Sequence, residues 1–123
     1  MLKDDFFTIT TLATENDNIS ASLELNEKHK IFDGHFPGKP VVPGVCMLQM
    51  VKEATEAALG NKLLLTRAEE LKFLMIIDPA ECRKLEMLLK YIREKNGKII
   101  IEASLLKDRS VCFKFKGQFS LSD

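Results

Sequence analysis

The chemistry in this chain concentrates in one short run, Gly34-His35-Phe36-Pro37-Gly38-Lys39-Pro40-Val41-Val42-Pro43-Gly44. It holds three Gly, three Pro and one of the two His residues of the chain. An imidazole with an ordinary pKa near 6.5 gives or takes a proton near neutrality. Proline at every third place fixes φ and pushes the preceding residue toward extended geometry, so the loop is stiff and His35 is held. Directly behind it a helical pattern begins. A helix start leaves backbone N–H groups without intrahelical partners and carries partial positive charge, which suits a developing oxyanion. Gly44 stands at that start, where the lack of a side chain lets a ligand approach the backbone. His35 and Gly44 are therefore candidates for a base and an oxyanion donor. His29, in the charged stretch Glu27-Lys28-His29-Lys30, reads as solvated.

Other chemistries find less support. No Gly-rich phosphate loop, metal-ligand set or Ser-His-Asp arrangement is legible. Cys46, Cys82 and Cys112 are far apart, and the expectation is reduced thiols in a core. Met47, Met50, Met75 and Met87 read as core fillers. Eighteen basic and eighteen acidic residues cancel, which argues against a nucleic-acid binder. No apolar run reaches the roughly 20 residues needed to cross a bilayer. The opening Met1-Leu2-Lys3-Asp4-Asp5 lacks a signal-peptide pattern, so a cytoplasmic location is expected.

The elements that must position the loop follow from periodicity. With 123 residues and 46% hydrophobic content, one domain spanning 1–123 is expected. Residues 5–14 and 19–25 read as a β-hairpin about the turn Asn16-Asp17-Asn18. Residues 28–42 read as an ordered loop. From Pro43 to Leu59, Val45, Leu48 and Val51 together with Met47, Met50, Ala54, Ala57 and Ala58 recur at helical spacing on a broad face, and Gly60-Asn61 suits the C-terminal cap. Strands are expected at about 64–76, 83–95, 97–107 and 110–121. Asn96-Gly97 reads as a two-residue hairpin turn, and Lys107-Asp108-Arg109-Ser110 as a second turn. A six-stranded, mostly antiparallel sheet around one largely buried helix is the economical α+β solution.

The motif Gly34-His35-Phe36-Pro37-Gly38-x-Pro40-x-x-Pro43-Gly44-Val45, followed at once by an apolar helix, resembles that of the β-hydroxyacyl-acyl carrier protein dehydratases of fatty-acid synthesis. Lys72-Phe73 and Gly117-Gln118-Phe119 fit the same resemblance. It implies the hotdog fold, in which an antiparallel sheet wraps a long central helix. It also implies that His35 handles the proton beside the thioester carbonyl and that the Gly44 N–H binds the thioester oxygen. Phe36, Pro37, Gly38, Pro43 and Val45 would then line the substrate. The acyl chain would arrive on the phosphopantetheine arm of acyl carrier protein, with no resident cofactor or metal. A homodimer or larger homo-oligomer, or a heterodimer with a related subunit, would complete the tunnel.

One position departs from the motif. The carboxylate that the resemblance implies on the central helix falls on Gln49, which cannot deliver a proton as an acid. Glu53, one turn further, reads as a charged side chain near the helix end, on the same face as Gln49. Three functions follow: a 3-hydroxyacyl thioester dehydratase, an auxiliary hotdog subunit that binds acyl thioesters or completes a partner's site, and an acyl thioesterase that uses Gln49 to direct water.

Overall fold

A computed structural model describes residues 1–34 and 40–122. The sequence expectations for His35, Phe36, Pro37, Gly38 and Lys39 lie outside the described residues. The elements run β1 (Phe7–Glu15), β2 (Asn18–Leu25), α1 (Ile31–Gly34), α2 (Gly44–Leu59), β3 (Lys62–Phe73), β4 (Lys84–Arg93), β5 (Lys98–Lys107) and β6 (Ser110–Ser122). The six strands form one antiparallel sheet in the order β1-β2-β4-β5-β6-β3. The chain leaves β2, passes through both helices and re-enters the sheet at its far edge with β3.

The inner face of this sheet is written in the alternation of its strands. Ile19, Ala21, Leu23 and Leu25 of β2 are buried, as are Leu85, Met87 and Leu89 of β4 and Ile99, Ile101, Ala103 and Leu105 of β5. Their neighbours in sequence point to the other face. Phe113, Phe115 and Phe119 of β6 complete the bed on which α2 lies. The helix buries Cys46, Met47, Met50, Val51 and Ala54, a stripe at the 3.6-residue period. Pro43, at φ −62° and ψ 144°, leads into it, and Gly60 ends it at φ 75° with its N–H on the Glu56 carbonyl at 2.8 Å. The helix is not apolar all round in its surroundings, however: Val45 and Ala57 are exposed, and Leu48, Gln49 and Lys52 are half-buried.

The structure corrects several sequence expectations. The stretch read as an ordered loop contains the single turn α1. The strand expected to reach residue 76 ends at Phe73, and Leu74, Met75 and Ile76 leave the sheet exposed. Met75 is therefore not a core filler, whereas Met47, Met50 and Met87 are. The turn at Asn96-Gly97 is a three-residue connection, because the Glu94 N–H bonds Lys98 O at 2.8 Å and Gly97 N–H bonds Glu94 O at 3.1 Å. Gly97 sits at φ 84°, where a type I turn closed by a left-handed residue needs glycine.

His29 is also not solvated. Its ring packs edge-on against Phe6 at 5.4 Å, its Nε2 lies 3.0 Å from Asp5 Oδ2, and its Nδ1 accepts the Ile31 N–H at 3.1 Å. The accepted hydrogen bond leaves Nδ1 without a proton, so Nε2 carries the hydrogen that meets Asp5. His29 thereby ties β1's approach to the start of α1. The three cysteines are free and buried, as expected.

Candidate active site

The start of α2 is built from a proline, a glycine and an aromatic ring. Pro43 is buried, and its carbonyl accepts the N–H groups of Cys46 at 3.0 Å and Met47 at 3.3 Å. Gly44 and Val45 precede these donors, so their N–H groups have no carbonyl one turn back to bond. The approach is pinned by Val42, whose N–H bonds Ile77 O at 2.9 Å. A side chain at position 44 has no room: a Cβ there would lie 2.8 Å from Phe73 Cε1 and 2.9 Å from Cζ. Phe73 in turn stacks on Phe113 with ring centroids 5.2 Å apart. A side chain at position 44 would push the Phe73 ring aside, and that ring covers the helix start.

Val45, beside it, is 77% exposed, an apolar side chain offered to whatever meets this end of the helix. Gln49 follows one turn later, about 7.5 Å along the axis from Gly44. Its Nε2 donates to Glu53 Oε2 at 2.7 Å. Glu53 is 1% exposed and does not sit on a solvated helix end, contrary to the sequence expectation. The N–H of Leu2 lies 3.0 and 2.9 Å from its two carboxyl oxygens, and the N–H of Lys3 lies 2.7 Å from Oε1. Burial pushes the Glu53 carboxyl up, but the Leu2 and Lys3 N–H groups and the Gln49 amide outweigh it and hold the group below its usual range. Glu53 is therefore an anion that fastens the first residues to α2, and it offers no proton to a site.

The structure brings Pro43, Gly44, Val45 and Gln49 together along one helix start. The sequence missed two contributors, Phe73 over Gly44 and the carboxylate that receives the Gln49 amide. The first carried a faint signal in the Lys72-Phe73 pair, and the second in the four-residue spacing of Gln49 and Glu53. Among the described residues no group of three or more His, Cys, Asp or Glu is placed to hold a metal. No described helix is long and apolar enough to cross a membrane.

An antiparallel six-stranded sheet curled about a 16-residue helix is the hotdog fold. Solved structures share it. The chain superposes with TM-score 0.66 on a chain of the dehydratase heterocomplex ApeI:P from Xenorhabdus doucetiae, at 20% identity, covering 91% of this chain and 96% of that one. It superposes with TM-score 0.68 on a mutant thioesterase from Staphylococcus aureus, at 7% identity, covering 95% and 93%.

Sequence similarity is more specific. Residues 11–116 match the model of the ApeI-like family, described as ApeI dehydratase, and the chain belongs to that family. It is also 31% identical over 98 residues to the 3-hydroxyacyl-acyl-carrier-protein dehydratase FabZ of Lactobacillus helveticus, covering 74% of this chain and 64% of the relative. The chain spans about half to two thirds of the length of the curated relatives it matches.

Proposed function

We propose that this chain acts on 3-hydroxyacyl thioesters carried by acyl carrier protein and removes water to give the enoyl thioester. The observation that carries the reading is the start of α2. Gly44 presents an N–H free of intrahelical bonding, directly after the His35-containing run. In this reading His35 takes the proton beside the thioester carbonyl, and the Gly44 N–H stabilises the negative charge that gathers on the thioester oxygen. The His35 imidazolium returns that proton to the 3-hydroxyl, whose bond to carbon breaks as the double bond forms and water leaves. Phe36, Pro37, Gly38, Pro43 and Val45 line the substrate. The phosphopantetheine arm comes with the carrier, and the protein needs no cofactor of its own.

A second subunit belongs to this reading. β3 is an edge strand, and Leu64, Leu65, Leu71, Phe73, Leu74 and Ile76 along and beyond it are exposed. Such an apolar edge calls for a covering partner. A second copy, or a related hotdog subunit, meets that need and closes the acyl tunnel.

Incubating the purified protein with a 3-hydroxyacyl carrier-protein thioester and following the enoyl product tests the proposal. Product formation that disappears in His35→Ala supports it. No product from wild type, together with no gain in Gln49→Glu, rejects it. Gln49 itself favours one further reading, an auxiliary subunit whose partner supplies the missing acid. Co-purification from the native host separates the two, since a fully active homodimer excludes the auxiliary role.

A further inference from the structure

Gln49 and Glu53 form a pair whose chemistry fixes more than their distance. Glu53 is buried and already receives the N–H groups of Leu2 and Lys3. A carboxylate only accepts hydrogen bonds, so the branch of the Gln49 amide facing it must be the NH₂ group. The two branches of a planar carboxamide diverge by about 120°, the ordinary sp² angle. The Gln49 carbonyl oxygen therefore points away from Glu53. No described residue donates a hydrogen bond to it, and the side chain is half-buried on the open side of α2.

We infer that Glu53 is a positioning residue that turns Gln49 so that its carbonyl oxygen receives the 3-hydroxyl of the substrate. The inference rests on the reading of Gln49 as part of the thioester site. In place of an acid, the helix presents an acceptor of fixed direction. It selects a group carrying a hydrogen, such as a hydroxyl, and disfavours a 3-keto oxygen, which is itself an acceptor. The orientation is held by four residues of sequence on one side and by the chain's first residues on the other. Nothing in the Gln49 side chain alone would set it, since an unanchored amide presents either end.

A double-mutant cycle tests the chain of action. Rates are measured on 3-hydroxybutyryl-N-acetylcysteamine for wild type, Gln49→Ala, Glu53→Gln and the double variant. The expected result is at least a tenfold loss of kcat/KM in each single variant and no further loss in the double. Multiplying losses overturn the inference while leaving Gln49 in the site, because Glu53 then acts on stability alone. An unchanged rate in Gln49→Ala overturns both the inference and the site reading beneath it. Should Glu53→Gln fail to fold, the wild-type protein decides by NMR. One Gln49 Nε2 proton should be shifted downfield and should titrate with Glu53 on acidification. Two freely exchanging, pH-insensitive amide protons overturn the inference.

Discussion

Gln49→Glu probes the pair most sharply. The substitution sets a second carboxyl where an amide nitrogen now stands 2.7 Å from Glu53 Oε2. With charge centres about 4 Å apart and an effective dielectric near 20, two carboxylates there repel by about 4 kcal/mol. The lost hydrogen bond to a charged group adds about 1.5–3 kcal/mol. Both costs vanish while the pair shares one proton. Because Leu2 and Lys3 hold Glu53 as the anion, the shared proton resides at position 49 and is kept well above the ordinary carboxylate range. The sign follows: the folded pair binds its proton more tightly than the unfolded chain. The variant therefore matches wild type at acid pH and loses stability as pH climbs through the folded value. Urea unfolding between pH 5 and 9 should show a progressive loss that reaches about 5–6 kcal/mol relative to wild type. A proton held at position 49 near neutrality also restores an acid to the helix, and enoyl formation should rise by about 10²-fold or more. A difference in unfolding free energy that stays flat across that range would refute the coupling.

Three further outcomes are expected. Wild-type stability should fall on acidification below about pH 4.3, where the unfolded Glu53 begins to bind its proton while the folded one still resists, and Glu53→Gln should flatten that limb in chemical denaturation. Gly44→Ala should force Phe73 off its stack on Phe113 at a cost of about 1–3 kcal/mol, and most of that cost should disappear in a Phe73→Ala background, read from urea midpoints. Gly117→Ala should be harsher, above about 3 kcal/mol, because the new methyl meets the Arg67 carbonyl and lies 2.6 Å from Phe115 Cζ; soluble yield and thermal melting measure it.

Most of the fold was legible because its signals are local. Alternation in Leu85-Met87-Leu89 and Val111-Phe113-Phe115 marks strands. The period change at Pro43 and the glycine at position 60 bracket α2 within a residue or so. The errors share one cause, that partners distant in sequence decide the outcome. β3 ends at Phe73, paired to Phe113, while β6 runs back to Ser110 against β5. Leu74 keeps one hydrogen bond to the Cys112 carbonyl at 2.8 Å, and no property of Leu74-Met75-Ile76 announces the departure. His29 looked solvated among charges because Phe6 and Asp5, more than twenty residues away, supply its pocket and its hydrogen bond. Glu53 looked like a helix-end charge because its ligands are backbone N–H groups about fifty residues earlier, which have no side-chain signature. At the site, the motif named the glycine at the helix start, but only packing explains why Phe73 sits above it.

The irregularities of β3 bear on which strands can join its open edge. Its register against β6 slips between Leu65 and Arg67 and again between Ala68 and Glu70, so Thr66 and Glu69 are extra residues. Gly117 faces the resulting close approach of the Arg67 carbonyl. Regular ladder is therefore split into 62–65, the two residues 67–68, and 70–73, and each of the two longer stretches carries its own exposed apolar side chains, Leu64 and Leu65 in one and Leu71 and Phe73 in the other. A straight, unbroken strand finds no long template there and cannot zip along the edge. A partner whose own interruptions fall in step can engage both stretches at once, so the doubled kink works as a combination lock, rejecting generic fibril growth while admitting a matched shape.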